Sequence, residues 1–94
     1  MTPDLSNNAR KSLESLPSRH FKQVASRIFK LSGDQNPADS QHLLGHPGFK
    51  RIDQGEYRII YYLNAGSVRI AVVGKRNDDA AYKKSYKSTF APRQ

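Results

Sequence analysis

From Phe49 to Lys75, three successive runs are rich in β-branched and aromatic residues, and in the second and third of them apolar residues recur at every second position. The runs are Phe49 to Asp53, Glu56 to Asn64 and Ser67 to Lys75, separated by Gln54-Gly55 and Ala65-Gly66. A period of two belongs to a strand whose alternate side chains face opposite ways. The short glycine-containing breaks leave no room for a crossover, so the runs predict an antiparallel meander. In the second run Tyr57, Ile59, Tyr61 and Leu63 share one face, with Arg58, Ile60 and Tyr62 on the other. In the third, Val68, Ile70 and Val72 share one face, with Arg69, Ala71 and Val73 on the other. Both faces are half apolar, which predicts a sheet covered by helices on one side and partly open on the other, where a ligand would lie.

Ahead of the meander the period is helical. Leu5, Ala9, Leu13 and Leu16 fall close to one stripe, with Ser6, Asn7 or Asn8 as a cap and Pro17 as a stop. A second helix opens at Ser18, places Phe21, Val24, Ala25, Ile28 and Leu31 on one stripe, and ends at Ser32-Gly33. The link between them is only Leu-Pro-Ser, so they predict a helical hairpin. Residues 33–39 are loop by composition, and Gln41 to Gly45 is expected to form one turn around Leu43 and Leu44. After the meander, a final helix is expected from about Asp78, whose acidic start suits a helix N-terminus and which carries Ala81, Tyr82, Lys83, Lys84 and Tyr86. The fold class is thus α+β: an N-terminal helical hairpin packed on an antiparallel three- to four-stranded sheet, with a C-terminal helix.

A chain of 94 residues is one domain's worth, so residues 1–94 are read as a single domain. Leu, Ile, Val and Phe number only 20, nine of them between Phe49 and Val73, so the core is small and centred on the meander. The formal charge of +8 is lopsided: residues 1–49 carry six positive and four negative side chains, and residues 50–94 carry ten and four. Such a field favours a phosphate polymer, an anionic membrane surface or an acidic protein, with solubility as the plainer reading. There is no cysteine, hence no disulfide framework or thiolate metal site, and a reducing cytoplasm fits best. The N-terminus has no apolar signal core and no run approaches the length of a membrane span, so no membrane association is expected.

Several cations sit on strands or at strand ends instead of outer helix faces: Lys50, Arg51, Arg58, Lys75 and Arg76, with Tyr82 beyond them. In a meander such positions come together, and convergent cations need a polyanion or an acidic partner to offset their repulsion. Arg58 stands out, because it interrupts the most apolar strand. Catalytic dyads are otherwise missing. His42 and His46 are four apart, but Gly45 and Pro47 spoil the helix that would pair them on a metal, and no serine combines a nearby histidine with an oxyanion motif. Metal-free RNA cleavage needs neither. The substrate's own 2′-hydroxyl is the nucleophile, and the protein supplies in-line positioning, cations for the phosphate and proton transfer.

The string Arg51-Ile52-Asp53-Gln54-Gly55-Glu56-Tyr57-Arg58-Ile59-Ile60-Tyr61, followed by Val72-Val73-Gly74-Lys75-Arg76 and then Tyr82, resembles the RelE/ParE superfamily of bacterial toxins. Ala9-Arg10-Lys11, Leu13, Leu16-Pro17 and Leu44-Gly45 are similar to the same family, and the resemblance runs from about Leu5 to Lys84. It implies the toxin of a type II toxin–antitoxin pair. In the RelE branch that toxin is an endoribonuclease cutting messenger RNA in the ribosomal A site; in the ParE branch it inhibits DNA gyrase and lacks the ribonuclease residues. The resemblance favours the RelE branch. It implies that Arg58 binds the phosphate, Arg76 assists the leaving 5′-oxygen, Tyr82 stacks on a base and helps orient the 2′-hydroxyl, and Arg51 is the first basic residue of the preceding strand. Lys50, Arg51, Arg58, Lys75, Arg76, Lys83 and Lys84 are the expected RNA contacts.

Asp53 departs from the family, standing where a second basic residue is usual. Two roles stay open for it: general base, or partner of an arginine. The family's usual strand before the first helix is expected to be shortened or lost, since Met1 to Leu5 is short and broken by proline. No cofactor or metal is implied. The expected partners are an acidic cognate antitoxin that folds as it wraps the toxin, the ribosome with its messenger RNA, and operator DNA through the antitoxin complex alone. A basic RNA-binding module without catalysis is the third reading.

Overall fold

The computed structural model describes residues 3–43 and 47–76. In chain order the elements are β1 (Asp4–Leu5), α1 (Asn7–Glu14), α2 (Ser18–Leu31), β2 (Gln41–His42), β3 (Phe49–Gln54), β4 (Tyr57–Asn64) and β5 (Ser67–Lys75). The sheet order is β1-β5-β4-β3-β2. Both helices and the central meander stand where the sequence patterns place them. The sheet has five strands instead of three or four and is mixed, because β1 runs parallel to β5 while every other pair is antiparallel.

The two extra strands are edge pairs of two residues each. The first strand is shortened, not lost: Asp4 and Leu5 pair with Arg69 and Ile70. Gln41 and His42, expected in a turn, instead pair with Arg51 and Lys50 as β2. Two residues are too few to show a period, and their backbone bonds to a ready edge suffice to hold them. The predicted C-terminal helix lies outside the described residues.

Ser6 caps α1, accepting from the Ala9 amide at 3.0 Å, and its hydroxyl donates to the Ala71 carbonyl at 2.8 Å. One side chain thereby closes the helix and ties it to β5. Ala9, Leu13, Val24, Ile28 and Leu31 bury the helical stripes against Ile52, Tyr57, Ile59, Tyr61, Val68, Ile70 and Val73. Phe21, expected on the α2 stripe, instead lies at its edge and is 38% exposed. A smaller cluster of Ile60, Ala71 and Val72, with Leu43, Phe49 and Tyr62 against it, lies on the opposite face of the sheet.

The two apolar faces of β5 differ from strict alternation. Ile60 pairs with Val72 but Tyr61 pairs with Ile70, so Ala71 is an extra residue in the ladder, a β-bulge. Ala71 and Val72 therefore both join the smaller cluster, and Val73 moves to the helix-covered core, the reverse of the pattern expected from the sequence. The β3–β4 turn is Gly55-Glu56, one residue later than the sequence break suggests, with Gly55 at φ 60°. The β4–β5 turn is Ala65-Gly66, with both residues at positive φ (54° and 82°), the geometry that matches the twist of a hairpin.

Tyr61 is fully buried, and its hydroxyl donates to the Gln35 carbonyl at 3.0 Å, fastening the loop after α2 to the sheet. Burial pushes its pKa above 10.0. An unfolded chain releases this proton near pH 10 while the folded chain retains it. The stabilisation is therefore complete below pH 10 and is lost as pH rises above it. Urea midpoints of the parent and of Tyr61→Phe should show this. The variant is less stable by about 1 kcal/mol at neutral pH, and the gap narrows above pH 10; a gap that widens contradicts it.

Candidate functional site

Alternation along β3 and β4 decides what faces the sheet side away from the helices. Phe49, Arg51 and Asp53 on β3 lie opposite Tyr62, Ile60 and Arg58 on β4. The rings of Phe49 and Tyr62 meet at 4.8 Å between centroids. The two-residue turn at Gly55-Glu56 makes Asp53 and Arg58 cross-strand partners, and the Arg58 Nε donates to Asp53 Oδ1 at 3.1 Å.

Arg76 reaches the same place because of the bulge. Under strict alternation from Ile70, Arg76 would fall on the helix side. The extra residue at Ala71 turns the rest of β5 over, so that Val73 faces the core, Gly74 lies opposite Arg58, and Arg76 follows onto the open face. The Arg76 amide donates to the Glu56 carbonyl at 3.0 Å, and its Nη1 donates to the Gly55 carbonyl at 3.3 Å. Its Nε lies 3.5 Å from Asp53 Oδ2, and Arg51 Nη1 lies 3.9 Å from the same oxygen. Three guanidinium groups thus converge on one carboxylate. Arg51 is held besides by a hydrogen bond to the Gln41 side chain.

Glu56, Arg58, Lys75 and Arg76 line an open hollow of about 510 Å³ beside this cluster. With Arg51 and Asp53 added, the patch holds four cations and two carboxylates. The small net positive charge, carried by planar forks of N–H donors, suits a phosphate group. Arg58 is mostly shielded, with 18% of its side chain exposed, whereas Arg76 at 55% stands in solvent, so the site has a shielded floor and an exposed rim. A second hollow at the end of α2, lined by Phe29, Leu31 and Pro37 among others, is mainly apolar, and its Arg27 is paired with Asp39.

Of the residues singled out from the sequence, Arg51, Asp53, Arg58 and Arg76 come together, and Lys75 lines the adjoining hollow. Lys50 does not join them. It neighbours Arg51 in the strand and so points to the other face, where its ammonium bonds the Asn36 side chain. Tyr82, Lys83 and Lys84 lie outside the described residues. Gln41 and Glu56 were not singled out. Gln41 had no signal, but Glu56 stands two residues before Arg58 in the turn and was readable as part of the same patch. Among the described residues, no group of His, Asp and Glu side chains is placed to hold a metal, and no helix is long and apolar enough to cross a membrane.

Neither a family model nor a curated protein matches the sequence. Solved structures do. The toxin–antitoxin complex RelBE2 of Mycobacterium tuberculosis contains a chain 27% identical to this one, with a TM-score of 0.71 over 82% of this chain and 92% of that one. A mutant of the E. coli toxin RelE in the free state is 21% identical, with a TM-score of 0.75 over 93% and 95% of the two chains. The archaeal RelE–RelB complex of Pyrococcus horikoshii OT3 gives 24% identity and a TM-score of 0.69 over 82% and 96%. The same α+β architecture thus recurs over nearly the whole of each relative, and the resemblance read from the sequence is met in the fold.

Proposed function

We propose that this RelE-like chain is the toxin of a type II toxin–antitoxin pair, and that it acts as a ribosome-dependent messenger-RNA endoribonuclease. The observation that carries the reading is the convergence of Arg51, Arg58 and Arg76 on one point of the open sheet face. In this reading the RNA 2′-hydroxyl gives up its proton and attacks the adjacent phosphorus, the bond to the 5′-oxygen breaks and that oxygen takes up a proton, and the products are a 2′,3′-cyclic phosphate and a 5′-hydroxyl. Arg58, anchored and shielded, binds a non-bridging oxygen and holds the phosphate in line. Arg76, on the exposed rim, follows the charge as it develops on the leaving oxygen. Lys75 and Arg51 hold neighbouring phosphates, and Tyr82, Lys83 and Lys84 supply the base-stacking and RNA contacts of the resemblance. The partner that restrains the toxin is a cognate antitoxin, acidic enough to cover this basic surface. Both proteins would act in the cytoplasm, where ribosomes are.

The other reading, gyrase inhibition through a protein interface, makes no use of the arginine cluster as a phosphate site. Growth after induction separates the two. The proposal expects arrest with translation stopped and DNA supercoiling unchanged, relieved by Arg58→Ala or Arg76→Ala in protein that still binds its antitoxin. Arrest that persists in both variants, with relaxed DNA, overturns the ribonuclease reading.

A further inference from the structure

We infer that Asp53 is the built-in counter-anion of the arginine cluster: it orients Arg58 and Arg76 in the free protein and competes with a ligand phosphate for the same guanidinium groups. The inference rests on the reading that this face binds RNA phosphate. Asp53 Oδ1 takes the Arg58 Nε at 3.1 Å, and Oδ2 faces the Arg76 Nε at 3.5 Å and Arg51 Nη1 at 3.9 Å. Both oxygens of the one carboxylate are thus given to guanidinium groups. A carboxylate and a phosphate present paired oxygens to arginine in the same forked manner, so an arriving phosphate occupies the place Asp53 already fills.

Two consequences follow from charge. In the free protein Asp53 offsets the mutual repulsion of Arg51, Arg58 and Arg76, a role that an arriving phosphate takes over. With Asp53 in place, each bound phosphate must displace it or share its donors, which lowers affinity. The arrangement therefore favours the partner role over the general-base role, since a base needs an oxygen turned to the 2′-hydroxyl and these two are turned to arginines. Asp53 is in this account a positioning residue, and it restrains binding of RNA that the ribosome does not also hold.

Asp53→Asn keeps the size and one acceptor oxygen and removes the charge. The probe is a fluorescent octanucleotide, 2′-O-methylated throughout so that it cannot be cleaved, titrated against the whole chain at several salt concentrations. Asp53→Asn should bind it about five- to tenfold more tightly than the parent. Its slope of log affinity against log salt should steepen by about 0.7, as for one more phosphate contact on a single strand. Arg58→Ala should bind more weakly than either. Equal or weaker binding by Asp53→Asn overturns the inference, as does failure of that variant to bind where the parent also fails. Should the variant not fold, the parent alone decides: inorganic phosphate must shift the Arg58 and Arg76 Nε–H resonances together, and unmoved resonances overturn the inference. Because the probe is uncleavable, absence of ribosomal cleavage would refute the proposed activity without altering this contrast.

Discussion

Arg58→Ala and Arg76→Ala should each slow cleavage on programmed ribosomes by about 10²–10³-fold, the usual loss when one preorganised donor to a developing charge is removed. The two losses have different origins. Arg58 is the more shielded, is joined to Asp53 at 3.1 Å and sits mid-sheet, so it holds the phosphate in the ground state and more strongly in the transition state. Its removal raises KM as well as lowering kcat. Arg76 is exposed and lies at the end of β5, so its loss falls on kcat. Neither variant should unfold, since a partly exposed ion pair contributes on the order of 1 kcal/mol. Single-turnover rates and urea midpoints measured together check this. A cleavage rate within about threefold of the parent in either variant removes that arginine from the site.

Val73→Asp is expected to destabilise the chain by about 4 kcal/mol or more, a large share of a small domain's stability. The effect reports on the bulge. Under strict alternation Val73 would face the open side beside the arginines, where a carboxylate is welcome. In the observed register it is buried among the helix-side core residues, and the charge has no partner. Far-ultraviolet circular dichroism through a urea titration reads the difference. A midpoint equal to the parent's would mean that β5 lacks the bulge and that Arg76 turns away from Arg58.

The bulge is also where the sequence was least legible. Val72 and Val73 are both apolar, so a one-residue slip leaves no mark in the pattern, and only the pairing of Tyr61 with Ile70 shows which valine faces the helices. The edge strands were hidden for a different reason. Asp4–Leu5 and Gln41–His42 are too short to display a period and exist because a longer strand beside them offers unpaired backbone groups. The meander, by contrast, was plain from its alternation and its glycine turns, and the helices from Ala9, Leu13, Val24, Ile28 and Leu31. Within the site, Asp53 and Arg58 are the second cross-strand pair out from the turn, so their pairing is readable once the turn is set at Gly55-Glu56. Lys50 shares a strand with Arg51, but strand geometry sends adjacent side chains to opposite faces, so a place on the strand does not bring it to the site.

That Arg51, Arg58 and Arg76, from three separate stretches of chain, meet at one carboxylate explains why Asp53 is tolerated in a site read as anion-binding. On the proposal above, its charge offsets the mutual repulsion of the arginines until a phosphate takes its place. A surface of this kind also implies salt-sensitive binding, because each Lys or Arg that contacts a phosphate releases counterions.

The most direct measurement is primer extension on a defined messenger RNA incubated with the purified protein, with and without programmed ribosomes, and with Arg76→Ala in parallel. Cuts within A-site codons that carry 5′-hydroxyl ends, require the ribosome and vanish in the variant are the predicted result. An intact message under every condition, or cuts that persist at full strength in Arg76→Ala, would contradict the account.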